Sequence, residues 1–150
     1  MLKQTKPSKA RVQHAALPYR LDADSARCEV LLVTSRETRR WVIPKGWPMR
    51  GRTGRQAAAR EAFEEAGLDG AVARRPIGAY THGKKLKDGT TVTCSVRVYP
   101  FAVAGQRARW PEMGERQARW FTPETAAQAV DEPELAALIR QLADGLSTSG

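Results

Sequence analysis

Three glutamates and an arginine crowd the stretch "REAFEEAG", residues 60–67, in a chain whose Lys and Arg outnumber Asp and Glu by 25 to 16. At helical pitch Glu61, Glu64 and Glu65 fall within roughly a 100° arc, while Ala59, Ala62, Phe63 and Ala66 occupy another face that can meet a core. Arg60 has Glu64 four residues on, a favourable pairing. Glu61 has Glu65 at that spacing and Glu65 has Asp69, like-charge neighbours that cost about a few tenths of a kcal/mol each. The carboxylates also lie toward the helix C-terminus, where the dipole disfavours negative charge. A solvated helix face is the commoner use of such a charge run. Hard oxygen ligands that repel one another are also what a divalent cation such as Mg²⁺ or Mn²⁺ turns into coordination. Ala57 and Ala58, one turn earlier, read as open space above the carboxylates for a bulky ligand.

Directly upstream, "KGWPMRGRTG" (45–54) is a glycine-rich loop that carries Lys45, Arg50 and Arg52. Cations and backbone N–H groups thus converge beside carboxylates, a combination that suits phosphate. Metal held by carboxylates opposite basic groups supplies what diphosphate cleavage needs: neutralised phosphoryl oxygens, an activated water and a stabilised leaving group.

These residues resemble the Nudix hydrolase signature: a glycine, five residues, a glutamate, seven residues, then R-E-apolar-x-E-E-x-G-apolar. Gly46 begins it, and Arg60, Glu61, Ala62, Glu64, Glu65, Gly67 and Leu68 complete it at the proper spacing. Position 52, where the family has glutamate, is Arg52. The resemblance extends to "RWVIPKGW" before the box and "RWF" (119–121) after it. It is nearest in pattern to the diphosphoinositol polyphosphate and dinucleoside polyphosphate hydrolases.

The resemblance implies an α+β fold, an α/β/α sandwich with a mixed sheet and a central loop-helix motif. It implies Mg²⁺ or Mn²⁺ held by Glu61, Glu64 and Glu65, with Glu64 preferred to orient or deprotonate the attacking water. Arg60 becomes the orienting residue of the box, and Gly46 lets the loop turn over the helix start. Lys45, Gly46, Arg50, Arg52 and Arg20 are the expected substrate contacts, and Arg36, Arg40, Lys84, Lys85 and Lys87 add basic surface. Arg52 beside Arg60 replaces an attraction by a repulsion: the loop closes differently, Arg52 binds phosphate, or activity is weakened. Retained activity is the expectation, since all three ligand glutamates are present. Glu112 and Glu115 are equally readable as an extra ligand or base and as surface acids; His14 and His82 receive no role.

The net charge of +9 points to an anionic partner, which the resemblance implies is a polyanionic small-molecule substrate. The alternative is a non-catalytic module that binds a nucleotide or RNA through a degenerate box. No run approaches the ~18–20 apolar residues of a membrane span, and a cytoplasmic protein without a membrane partner is expected. Cys28 and Cys94, far apart in apolar runs, read as free thiols.

The elements that must position this chemistry read as one domain, 12–145, between a basic tail (1–11) and a short tail (146–150). "CEVLLVTS" and "WVIP" read as paired strands. Thr53 with Gln56 reads as a capping box and Gly67 as a C-terminal cap, which bounds a helix over 54–66. Strands are expected over 72–81 and 91–103, with Pro100 at an edge or strand end, and "GKKLKDG" as a hairpin tip. "RW" (109–110) and "WF" (120–121) bracket a loop, Thr122 and Pro123 open a short helix, and "EPELAALIRQLADG" forms the last helix.

Overall fold

The computed structural model describes residues 11–25 and 27–148, so the expected 1–11 tail lies outside them apart from Arg11. In chain order the elements are β1 (Arg11–Leu21), β2 (Cys28–Thr34), β3 (Trp41–Val42), β4 (Lys45–Gly46), α1 (Gly54–Ala66), β5 (Leu68–Val72), β6 (Gly78–Lys85), β7 (Thr91–Gln106), β8 (Ala118–Phe121), α2 (Pro123–Ala129) and α3 (Pro133–Thr148). Arg11 already starts β1, and α3 continues to Thr148.

The strands form one mixed sheet. β1 lies at its centre, parallel to β7 and antiparallel to β2 and β4. Its partners, rather than its alanine-rich sequence, hold "RVQHAALPYRL" extended, and for that reason no strand is foreseen there. Both faces are covered. In β2 the period-2 alternation sends Val30 and Leu32 into a core with α2 and α3, including Leu135 and Ile139. Leu31 and Val33 go to the opposite core, with Ala58, Ala62 and Ala66 of α1. A strand buried on both faces reads as an unbroken apolar run. The architecture is therefore helix, sheet, helix, the expected α+β sandwich.

Three sequence expectations change. The strand expected over 72–81 is two strands, β5 and β6, separated by residues 73–77. Pro100 lies inside β7, opposite Leu17 of β1, where β7 exchanges one antiparallel partner for another: Val98 pairs with Gly78 of β6 and Phe101 with Val72 of β5. The Pro100 carbonyl accepts from Ala73 N at 2.8 Å. The missing N–H thus falls in the gap between two neighbours, where no ladder bond is lost. Finally, "WF" (120–121), which borders the expected loop, belongs to an unforeseen strand, β8, paired antiparallel with β2 from Val30↔Phe121 to Val33↔Ala118. The pairing of β2 with β3, the β6–β7 hairpin and the short helix behind Thr122 are as read.

Candidate active site

α1 starts and stops where its caps dictate. The Thr53 side chain accepts from Gln56 N at 3.3 Å, and Thr53 N donates to Gln56 Oε1 at 2.9 Å. Gly67 takes the left-handed conformation (φ 70°) and its N–H donates to Phe63 O at 2.8 Å. The alanines at 58, 62 and 66 are fully buried and hold the helix against the sheet. Ala57 and Ala58 are buried as well, so the open space expected above the carboxylates does not exist; two small residues there bring helix and sheet close. Ala59 and Phe63, assigned to the core face, are only partly buried.

That placement turns Glu65 inward. It is 4% exposed, and its Oε2 accepts the backbone N–H of Lys45 at 3.1 Å. β4 is fixed by pairing with β1, Ala15 opposite Lys45 and His14 opposite Gly46, so the donor is held by the sheet. Glu61 lies beside Glu65, its carboxyl against the Cα of Gly46, where a Cβ would collide with it. Burial is the main cause that lifts both carboxyls above the ordinary glutamate range. Contact between the two carboxyls raises Glu65 further and lowers Glu61. Glu64 and Glu112 raise Glu61 further, and Arg116 opposes the shift at both.

Glu64 points elsewhere. Its Oε1 accepts from Arg60 Nε at 2.8 Å, the pairing read from the spacing. Among the described residues no three acidic, imidazole or thiol groups stand together as a set that could hold a metal ion. Two do converge, Glu61 and Glu65. They are hard oxygen donors, withdrawn from water to different degrees, of the kind Mg²⁺ or Mn²⁺ would take; Glu64 could join them only by leaving Arg60.

The loop after β7 closes the other side. Glu112 N donates to Glu64 O at 2.9 Å. Arg116, 12% exposed at its side chain, lies 3.6 Å from Glu65 Oε1, donates to Glu112 Oε1 at 3.0 Å and to Thr34 O at 3.2 Å. Arg36 pairs with Glu115 at 3.2 Å and stands 3.9 Å from Glu112. Glu112 is thus the loop acid beside the box, while Glu115 is held outward by Arg36. The sequence reading missed Arg116, which lies far along the chain from both elements it joins.

A cleft of about 350 Å³ opens beside Glu65, lined by Arg36, Arg40, Lys45, Lys84, Lys85 and Arg116. Burial, the largest cause, lowers the Lys45 ammonium below its ordinary value; Glu65 opposes this, and Lys84 and Arg40 add to it. Arg40 is steadied by Glu132 at 2.8 Å and Asp131 at 3.3 Å. His82 lines the same cleft, its Nε2 2.9 Å from Gln13 Oε1 and its Nδ1 buried without a partner. Burial and then Lys45 lower it to about 4.

Of the expected substrate contacts, Lys45 and Gly46 are at the site. Arg20 is not among the cleft residues: it pairs with Glu29 at 3.0 Å, and its guanidinium lies 3.9 Å over the Trp120 ring. Arg50 is exposed in the loop and lies outside the cleft lining. Arg52 lines a different groove, on the other flank of α1, together with Arg60. The loop residues share a sequence neighbourhood with the box, yet only Lys45 and Gly46 are tied to the sheet that faces it. Cys94 is buried, Cys28 half-buried, and both are free. No described helix is long and apolar enough to cross a membrane.

A mixed sheet between helices, with a glycine loop feeding an acidic helix, defines the class of protein to which the chain belongs. It is a member of the NUDIX domain family, whose model matches residues 13–142. Nudix hydrolase 12, mitochondrial, of Arabidopsis thaliana is 31% identical over 132 residues, 79% of this chain and 65% of the relative. Nudix hydrolase 16, mitochondrial, of the same plant is 32% identical over 108 residues, 70% and 59% respectively. The chain therefore spans about two thirds or less of the length of these relatives. Among solved structures, a binary complex of the C. elegans Ap4A hydrolase superposes with a TM-score of 0.68 at 22% identity, covering 93% of this chain and 99% of that one. The NUDIX domain of Shewanella oneidensis NrtR, crystallised with ADP ribose, gives 0.64 at 13% identity, with 88% and 87% covered. At these identities the superpositions speak for the fold.

Proposed function

We propose that this chain is a metal-dependent pyrophosphohydrolase that cleaves a diphosphate linkage in a polyanionic small molecule, a dinucleoside polyphosphate or a diphosphoinositol polyphosphate. One observation carries the reading: the buried Glu65, with the half-buried Glu61 beside it, stands at the edge of a cleft lined by six cationic side chains. Glu61, Glu65 and Glu64 would hold Mg²⁺ or Mn²⁺, which when bound supplies charge neutralisation on the phosphoryl oxygens and an acidified water. Glu64 takes a proton from the attacking water after leaving Arg60. Arg60 sets the resting position of Glu64, and the Lys45 N–H holds Glu65. Arg36, Arg40, Lys84 and Lys85 grip the remaining phosphates and orient the chain of anhydrides past the acids. Support for the dinucleoside branch comes from the name of the C. elegans neighbour.

The Arg60–Glu64 ion pair, which draws one carboxylate away from the other two, favours a second reading: a non-catalytic module that binds a nucleotide or RNA. One experiment separates them. The protein is incubated with Mg²⁺ or Mn²⁺ and dinucleoside polyphosphates, ADP-ribose, nucleoside triphosphates and diphosphoinositol phosphates. Turnover that disappears in Glu64→Gln supports hydrolysis. Salt-steep RNA affinity with no turnover under either metal supports the module.

A further inference from the structure

α1 presents three stripes, each about 80–100° wide at helical pitch. Ala58, Ala62 and Ala66 meet the sheet; Glu61, Glu64 and Glu65 form the acidic stripe, of which Glu65 lines the cleft. Gln56, Ala59, Arg60 and Phe63 form the third, which faces a groove of about 620 Å³ between α1, β5 and the start of the loop after β7. The acidic cleft makes no use of this flank. We propose that it carries a second anion site, one that seats a phosphate group between Arg52 and Arg107 with Arg60 at its inner edge.

The groove keeps an excess of positive charge. Arg52, Arg60 and Arg107 line it; Asp69 pairs with Arg107 at 3.0 Å and Glu64 with Arg60 at 2.8 Å, which leaves the charge of Arg52 unopposed. Among the described residues Arg52 makes no ion pair within 4.0 Å, although it stands where the family places an acid. The guanidiniums of Arg60 and Arg107 each lie 5.0 Å over the Phe63 ring. One aromatic ring therefore borders both guanidiniums, and with each Nε given to a carboxylate the terminal N–H groups remain for an acceptor. Guanidinium forks match phosphoryl oxygens, and the apolar floor of Phe63, Leu68 and Phe101 lowers the local dielectric beneath them. Arg60 serves two neighbours, since its Nε donates to Glu64. A phosphate seated in the groove competes with Glu64 for that guanidinium, so the two flanks of one helix communicate through one side chain.

The ligand chemistry is a phosphate dianion, free as orthophosphate or carried by a small ester. The site does not depend on hydrolysis at the opposite flank. The test is an amide NMR titration of the ¹⁵N-labelled full chain, without divalent metal, using orthophosphate in one arm and AMP in the other. Saturating shifts are expected at Gly51, Gly70 and Arg107. An orthophosphate response marks the free ion as sufficient, and a response to AMP alone marks the ester. In Arg107→Ala, whose side chain is exposed and absent from the cleft, affinity at Gly51 and Gly70 is expected to fall by about tenfold, as loss of one charge-assisted contact implies. Gly83, in the cleft, is expected to respond as in the parent. The proposal is overturned if neither probe shifts Gly51 and Gly70, if shifts are confined to Gly83 and its neighbours, or if Arg107→Ala leaves the groove response unchanged.

Discussion

A methyl group on Gly46 would overlap Oε1 of Glu61. The loop glycine is therefore the wall against which a buried carboxylate rests, and its missing side chain is space that the acid occupies. In Gly46→Ala the backbone is unstrained, because Gly46 is not among the positive-φ residues. Glu61 must move. Hydrolysis of the best substrate is expected to fall about 10²-fold, the cost of misplacing a catalytic group by about 1 Å, with a near-parental melting temperature. Parental kcat in this variant would remove Glu61 from the reacting centre.

The raised carboxyl of Glu65, pushed up by burial, gives stability a pH signature. A carboxyl whose pKa is raised in the folded state contributes stability that is present below its ordinary value of 4.5 and is lost as pH rises through the raised value. In Glu65→Gln nothing ionises at that position. The variant is thus expected to gain on the parent in melting temperature as pH is taken from about 5 to about 8 without metal, following the linkage slope. Saturating Mg²⁺ should stabilise the parent at the upper pH and the variant much less. A melting difference flat across this range would mean that burial does not raise the Glu65 carboxyl.

Arg52→Glu places an acid opposite Arg60 across the groove on the outer flank. The new carboxylate is expected to draw Arg60 from Glu64 and free that side chain for metal. Mn²⁺ affinity, read by paramagnetic resonance of the free ion, should rise about three- to tenfold, in keeping with one charge-assisted contact. An unchanged affinity would mean that Arg60 does not restrain Glu64.

Lys84 stands at the cleft near the hairpin tip and is too exposed to matter for folding. In Lys84→Ala the KM for the most charged substrate is expected to rise about three- to tenfold with kcat retained, and the decline of kcat/KM with added salt should become shallower. The check is a salt series for both proteins; equal slopes would place Lys84 outside the path of the substrate.

Sequence disclosed what is locally specified. Thr53, Gln56 and Gly67 announce the ends of α1 within a few residues of themselves, and the spacing of Arg60 and Glu64 announces their ion pair. What depends on distant partners was hidden. β1 is a strand because β2, β4 and β7 flank it, and β8 because β2 accepts it. The face of α1 that meets the sheet is made of alanines, and alanine is common on every face of a helix, so Ala57 and Ala58 were misread as open space. Arg116 acts by joining Glu65, Glu112 and Thr34, three points that only the folded chain brings together. Charge at Arg20 and Arg50 said nothing of direction, and direction separates a cleft residue from a surface one.

The exchange of neighbours along β7 at Pro100 has an architectural result. Residues 73–77 span a seam held to β7 only at its two ends, by Ala73 N to Pro100 O and Ile77 N to Val98 O, between a hairpin that carries Lys84 and Lys85 to the cleft and a short strand that borders the outer groove. Insertions at that seam can lengthen one rim or the other while Glu65, anchored through β1 and β4, keeps its place.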